Sequence, residues 1–445
     1  MSGKTGSRRD PFLDVVRVGA VLLVVLQHWL MPVLGRGGAH GEVIETGNAL
    51  ATPGWWLITW LSQVMPMVFF AGGAANLHSF RGSRDTRAWL ASRLRRLVLP
   101  VLPLAAVWLA LPNLLLSAGV PAQPVDIAGG ITAQLLWFLV VYLVVVALTP
   151  VMTALHDRFG VRVLLPLAAL AVLVDVVRFA GVPEVGFANA VVVWVTVHQL
   201  GICYADGLFA NTGKRSQALV ALAGFGAVAA MVAFGPYAPS MIGMPGAPMS
   251  NMSPPAAVLL PLAVGQLGLL LLLRDKLIRF AGPAVDALGA RCTTIYLWHM
   301  PALVVVAGIA VMGFGYHTPE PGSTQWFAAA PMWLGATGYV LHLLVRVFGR
   351  FEVGGGRAVP ATVPLVGAYL TAAAGLLGLV VHGFSPDGPG VLDGPLPWIA
   401  LVVTGVVLGL RHDRGRAATK PVTTHPNPVQ VTRPTARPLP EPVPA

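Results

Sequence analysis

Long apolar runs separated by short charged loops decide what this chain can fold into. Twelve such runs can be drawn, at 12–34, 55–79, 97–118, 131–152, 162–180, 189–209, 217–235, 255–273, 292–313, 328–347, 362–382 and 395–411. A helix needs about 20 apolar residues to cross a bilayer. Lipid offers the backbone no hydrogen-bond partners, so a spanning segment must satisfy its own polar groups, as a helix does. Apolar residues make up 56% of the chain and charged residues 11%, where a soluble domain carries about a quarter charged. A soluble enzyme, a disordered scaffold and a disulfide-rich secreted domain are excluded. The expected fold class is all-α, a polytopic integral membrane helical bundle of about 10–12 transmembrane helices.

The loop charges predict an orientation. Arg81, Arg84, Arg87, Arg93, Arg95 and Arg96 follow the second run, and Arg274, Lys276, Arg279 and Arg291 separate the eighth from the ninth. The alternate loops carry Glu42, Glu45, Asp126, Glu184, Glu320 and Asp393 instead, Arg36 being the main exception. Such alternation predicts an even number of spans with both termini cytoplasmic, in a multi-pass protein of the cell membrane, by composition a bacterial cytoplasmic membrane. The net charge of +11 is dispersed through these loops, so lipid headgroups and a cytosolic anionic ligand, not nucleic acid, are the expected partners. The first run holds Asp14 and Arg17 and is followed by no small-residue cleavage site, so it reads as a span and not a cleaved signal. Cys203 and Cys292 imply no disulfide framework.

The first span carries the most chemistry. Asp14 and Arg17 are three apart and can pair on one helix face. His28 follows Arg17 by eleven residues; the two point within roughly 20° of each other and stand about 16 Å apart along the axis. An ionisable residue inside a span marks function by default; the plainer reading is an arginine reaching for headgroups and a histidine bonding a neighbouring helix. Asp175 and Arg178 are also three apart and read as a structural pair, with Asp175 orienting a catalytic histidine as the other option. His198 and Gln199 either line a cavity or bond between helices. No Gly-x-Ser-x-Gly elbow is present, and no cluster has metal-ligand spacing.

Four elements in order resemble the membrane-bound acyltransferase-3 family. They are Leu13-Asp14-Val15-Val16-Arg17 with His28 after ten residues; Arg93-x-x-Arg96-Leu97 with Pro100; Trp137-Phe138 with Tyr142; and Thr294-Ile295-Tyr296-Leu297-Trp298-His299-x-Pro301. The resemblance implies an acyltransferase-like membrane domain over 1–350; outside it, the last apolar runs predict two additional helices over 351–411, and composition predicts a disordered Pro-rich cytoplasmic tail over 412–445. It further implies transfer of an acyl group, often acetyl, from acyl-CoA to a hydroxyl of a glycan, lipid or glycosylated metabolite. Acyl-CoA is then a co-substrate, with no tightly bound cofactor and no metal. Carried over residue by residue, His28 and Arg17 are catalytic; Arg93 and Arg96 of the second element are expected to hold the polyanionic donor, Asp14, Trp137, Tyr296 and His299 of the matching elements to support the site, and the intramembrane His198 and Asp175, outside those elements, are further candidate supports. The alternative from another class is a multipass transporter or lipid/glycan flippase using intramembrane His, Asp and Arg; a glycan-binding scaffold without activity is a third.

Overall fold

Asp10 and Pro11 start the first helix. The Asp10 carboxylate accepts the Phe12 amide at 3.0 Å, and Pro11, with no amide to leave unpaired, takes the first helical position. The computed structural model describes residues 10–39, 41, 43–243, 249–352, 359–385, 390 and 392–411. In it α1 spans Pro11–Leu30 and stops before Pro32, which cannot continue it. A short antiparallel hairpin follows, β1 (Pro32–Gly37) on β2 (Val43–Asn48), in register from Pro32 opposite Asn48 to Gly37 opposite Val43. The first apolar run thus ends four residues early, and its last residues become strand.

The remaining main helices are α2 (Met65–Arg81), α3 (Thr86–Val98), α4 (Val101–Ser117), α5 (Ala122–Gln134), α6 (Leu136–Phe159), α7 (Leu164–Phe179) and α8 (Asn189–Ala205). They are followed by α9 (Lys214–Phe234), α10 (Leu259–Leu272), α11 (Cys292–Gly308), α12 (Thr324–Phe348), α13 (Thr362–His382) and α14 (Leu396–Leu410). Each of the twelve apolar runs holds one of these helices, α3 and α5 being the two that fall largely between runs. Among the described residues, nine helical stretches are long and apolar enough to cross a membrane, and α10 and α14 are shorter apolar helices. One of the nine, Ala122–Phe179, comprises α5, α6 and α7. The chain is an all-α polytopic bundle with one small hairpin. The Pro-rich tail at 412–445 lies outside the described residues.

α1, α2, α6 and α8 pack around a buried aromatic cluster. Phe69 of α2 and Trp194 of α8 stack at 4.8 Å between centroids, and Phe69 meets Phe138 edge-on at 5.5 Å. Two ends result. One holds the arginine-bearing α3 and an ion-pair network, with Arg81 bonded to Asp157 at 2.6 Å and to Asp206 at 2.7 Å. The Arg81 hydrogen bond holds the Asp206 carboxyl below its ordinary range. The opposite end holds the hairpin and the loop after α9, where Asn251 donates to the Ala238 and Ser240 carbonyls at 2.6 and 2.8 Å.

Glycine makes the α2–α8 crossing possible. A Cβ on Gly73 would sit 1.9 Å from the His198 carbonyl oxygen, and one on Gly201 would sit 2.0 Å from that of Phe70. Backbone cannot yield as a side chain can, so Gly201→Val should separate the two helices and destabilise the protein by at least about 1–3 kcal/mol. A thermal scan in detergent followed by size exclusion checks this; an unchanged melting temperature would contradict the close crossing.

Candidate active site

One face of α1 runs from an ion pair to a histidine. Arg17 Nη2 stands 3.4 Å from the Asp14 carboxylate, and the arginine side chain keeps 38% of its surface exposed. Eleven residues on, His28 Nδ1 stands 2.8 Å from His299 Nε2 of α11, with the two rings nearly parallel at 4° and 5.1 Å between centroids.

The protons on this pair follow from its backbone partners. His299 Nδ1 lies 2.6 Å from the Tyr296 carbonyl oxygen and also faces the Ile295 carbonyl. A carbonyl only accepts, so His299 Nδ1 carries the proton and its Nε2 is a bare lone pair. His28 Nδ1 must then donate to that lone pair, which leaves His28 Nε2 unprotonated. The pair is locked from behind. Trp29 Nε1 donates to the His299 carbonyl at 2.9 Å, and Trp333 Nε1 of α12 donates to the Trp29 carbonyl at 2.9 Å. The N-terminus of α11 is capped by Glu352, which accepts the Thr293 and Thr294 amides at 2.9 and 3.0 Å.

The arginines of α3 separate into two groups. Arg93 donates to Ser79 Oγ and lies 5.3 Å over the Trp89 ring. Arg17 and Arg96 are close enough for their charges to act on Arg93, so the helix-1 and α3 cations form one cluster. Arg95 does not join it: its side chain is buried and donates to the Gly409 carbonyl at the end of α14, at 3.1 Å. Tyr142 and Tyr369 also lie beside Arg93. From Tyr142 an aromatic ladder climbs toward the histidines. Tyr142 stacks on Phe138 at 5.4 Å, Phe138 meets Tyr296 at 5.2 Å, and Tyr296 lies 5.7 Å from His299.

At the far end of that ladder is an open cavity of about 1080 Å³. His28, Trp137 and Tyr296 line it, and its rim is formed by the hairpin and by Met252–Pro255. The Tyr296 hydroxyl donates to the Leu135 carbonyl at 2.7 Å, which fixes its ring as wall. The three sequence elements around His28, Trp137 and Tyr296-Leu297-Trp298-His299 therefore meet at one place, while Arg17, toward the other end of the His28 helix, stands with Arg93 and Arg96 of α3.

Two expected supports lie elsewhere. His198 does not line the cavity; it is fully buried and bonds Asn76 of α2 at 3.1 Å. Asp175 does not bond Arg178 and orients no histidine. Its carboxylate accepts from Asn189 at 2.8 Å, Tyr237 at 3.0 Å and the Ala257 amide at 2.6 Å. Arg178 donates to the Pro254 and Ser250 carbonyls, both at 3.3 Å. The carboxylate reaches these donors because the loop after α9 folds over α7. Sequence reasoning missed Gln27 and Gln134, which also line the cavity, and nothing in their local sequence marks them. Among the described residues, no three His, Cys, Asp or Glu side chains converge as a metal site.

Residues 10–345 match a family model described as an acyltransferase domain. Comparison with curated proteins and with solved structures finds no match.

The hydrogen-bond chain fixes both tautomers. In protein labelled with ¹⁵N-histidine, His28 and His299 should each show a protonated Nδ1 and an unprotonated Nε2 at neutral pH, assigned by loss of each signal in the corresponding variant. A protonated Nε2 on His28 would contradict the chain of donors.

Proposed function

The chain belongs to acyltransferase family 3 and is a membrane acyltransferase, and from that premise we propose that it moves an acyl group, acetyl in the simplest case, from cytosolic acyl-CoA to a hydroxyl. The acceptor classes open to it are a glycan, a lipid or a glycosylated metabolite. The observation that carries this reading is a histidine with an unprotonated Nε2 that lines a cavity, on the helix whose other end brings Arg17 beside the Arg93 and Arg96 cations of α3. Alternating loop charges support an orientation with the arginine end on the cytoplasmic side of a bacterial cytoplasmic membrane. CoA is polyanionic, and guanidinium groups pair with phosphate oxygens in a two-pronged geometry that lysine cannot reproduce. Arg17, Arg93 and Arg96 hold the phosphates, with Asp14 steadying Arg17. The acyl-pantetheine arm then follows the aromatic ladder past Tyr142 and Phe138 to the histidines, a rise of about 16 Å along α1.

The chemistry there needs one proton shuttle. His28 Nε2 takes the proton of the acceptor hydroxyl as its oxygen attacks the thioester carbonyl. The tetrahedral intermediate collapses, the C–S bond breaks, and the CoA thiolate leaves and recovers a proton from the imidazolium. His299 acts as a positioning residue. It accepts from His28 Nδ1, holds the ring in the tautomer that exposes Nε2, and shares the charge that develops on it. Trp137 offers a flat apolar face to the acceptor. A donor-only acyl-enzyme trapped on His28 would assign the same nitrogen as nucleophile instead.

Two outcomes test the assignment. His28→Gln keeps size and hydrogen bonding but cannot shuttle a proton, so acyl transfer by the folded, donor-binding variant should fall by about 10²–10⁴. Near wild-type turnover in that variant would remove His28 from the chemistry. Arg17→Ala should raise the KM for acyl-CoA well above its effect on the acceptor KM, at unchanged protein level. An unchanged donor KM would leave Arg17 with the bilayer headgroups alone.

A further inference from the structure

The cavity beside His28 has an unusual lining. Among the described residues, no Asp, Glu, Lys or Arg side chain lines it. Its ionisable groups are His28 and Tyr296, and the Tyr296 hydroxyl is already committed to the Leu135 carbonyl. Two other polar side chains are also committed. Gln63 donates to the Met241 carbonyl at 2.8 Å and accepts the Met65 amide at 3.2 Å, and Asn48 accepts the Leu50 amide at 2.9 Å. Gln27 and Gln134 line the cavity with side-chain amides that have no protein partner among the described residues. Gln27 adjoins His28 in sequence, and Gln134 adjoins the Leu135 carbonyl that holds Tyr296. These two amides share the cavity lining with His28.

The rest is hydrocarbon. Leu111 and Leu115 of α4, Ile131 of α5, Val304 of α11, and Leu377 and Val380 of α13 are among its walls. A charged acceptor would lose its hydration here and gain no counter-charge, which costs several kcal/mol. A bare sugar would leave most of about 1080 Å³ unfilled and would bring hydroxyls against leucine and valine. α13 begins beyond the residues matched by the family model, which end at 345. The Leu377 and Val380 side of the wall is therefore supplied by the part of the chain beyond the matched residues.

We propose that the acceptor is an uncharged amphiphile taken from the membrane phase, with its hydroxyl-bearing head presented to His28, where the Gln27 and Gln134 amides of the lining are open to bond it, and its apolar body against the wall that α13 completes. The proposal rests on the acyl-transfer reading only for the word acceptor; occupancy of the cavity is measurable without turnover.

The test uses the full chain with Cys203→Ala and Cys292→Ala, reconstituted in phosphatidylcholine nanodiscs without acyl-CoA. Val380→Cys, or Leu377→Cys on the same wall should the first fail to fold, reports on the cavity through its rate of maleimide labelling. Leu370→Cys, exposed on α13 and not part of the lining, is the control. Octyl glucoside below its micelle concentration should slow labelling of the cavity cysteine about tenfold at ten times its Kd, as simple occupancy requires, and leave the control unchanged. Glucose and glucose 6-phosphate at equal concentration should protect neither. A monoglucosyl diacylglycerol placed in the nanodisc separates the sources: protection by it assigns a bilayer lipid, and protection by octyl glucoside alone assigns a smaller hydrophobic glycoside. Protection by neither amphiphile, or equal protection by glucose, would overturn the proposal. Loss of acyl transfer with protection intact would overturn the catalytic reading and leave the amphiphile site standing.

Discussion

A single hydrogen bond, from His28 Nδ1 to His299 Nε2, ties the first helix to a helix 271 residues later. Inside an apolar bundle an unpaired polar group costs several kcal/mol, so each imidazole needs partners, and the pattern of partners leaves little freedom. The Tyr296 carbonyl takes one proton, the second histidine takes the next, and one lone pair remains at the cavity. Around that line the neighbouring groups act as splints: Trp29 on the His299 carbonyl, Trp333 on the Trp29 carbonyl. Both indoles hold backbone, so they fix where α1, α11 and α12 stand without adding a titrating group near the pair.

The molecule has two unlike ends, and two helices run between them. α1 carries Asp14 and Arg17 at one and His28 at the other. α13 does the same from the opposite side, with Tyr369 beside Arg93 and Leu377 and Val380 in the cavity wall. Tyr369 also donates its hydroxyl to the Leu90 carbonyl of α3 at 3.0 Å. A polyanion is favoured at one end and an uncharged body at the other, so the charge distribution makes the two ends unlike as ligand environments. The aromatic ladder of Tyr142, Phe138 and Tyr296 runs between them.

The fold was legible because its controlling rule is simple. Each apolar run is as long as a bilayer is thick, and each holds a helix. The hairpin at 32–48 was not, because Pro32–Gly37 and Val43–Asn48 are short, mixed segments whose pairing depends on the turn between them and on neighbours such as Gln123, which bonds Ile44 at 3.0 Å. On α1 the phase of a helix was enough to put Arg17 and His28 on one face. The His28–His299 pairing lay beyond reach, since no local pattern says which two distant helices touch. The Asp175–Arg178 expectation failed for the converse reason. Spacing permits a pair within the helix, but it does not know that Tyr237, Asn189 and the Ala257 amide arrive to compete for the carboxylate.

Arg93, Arg95 and Arg96 show how much three adjacent charges can differ. Residues three apart share a helix face, while a residue two further on points about 200° away. Arg93 and Arg96 therefore stay together beside Arg17, and Arg95 turns into the protein, where the last carbonyls of α14 lack helical partners. A guanidinium at a helix C-terminus meets the negative end of the peptide dipoles, which offsets part of the cost of burying it. The contact also joins α14 to α3, the helix that presents Arg93 and Arg96. The same stretch of sequence thus supplies both the cations that stand with Arg17 and the cation that anchors a helix beyond the acyltransferase domain, and the difference between them is one of rotation about a helix axis.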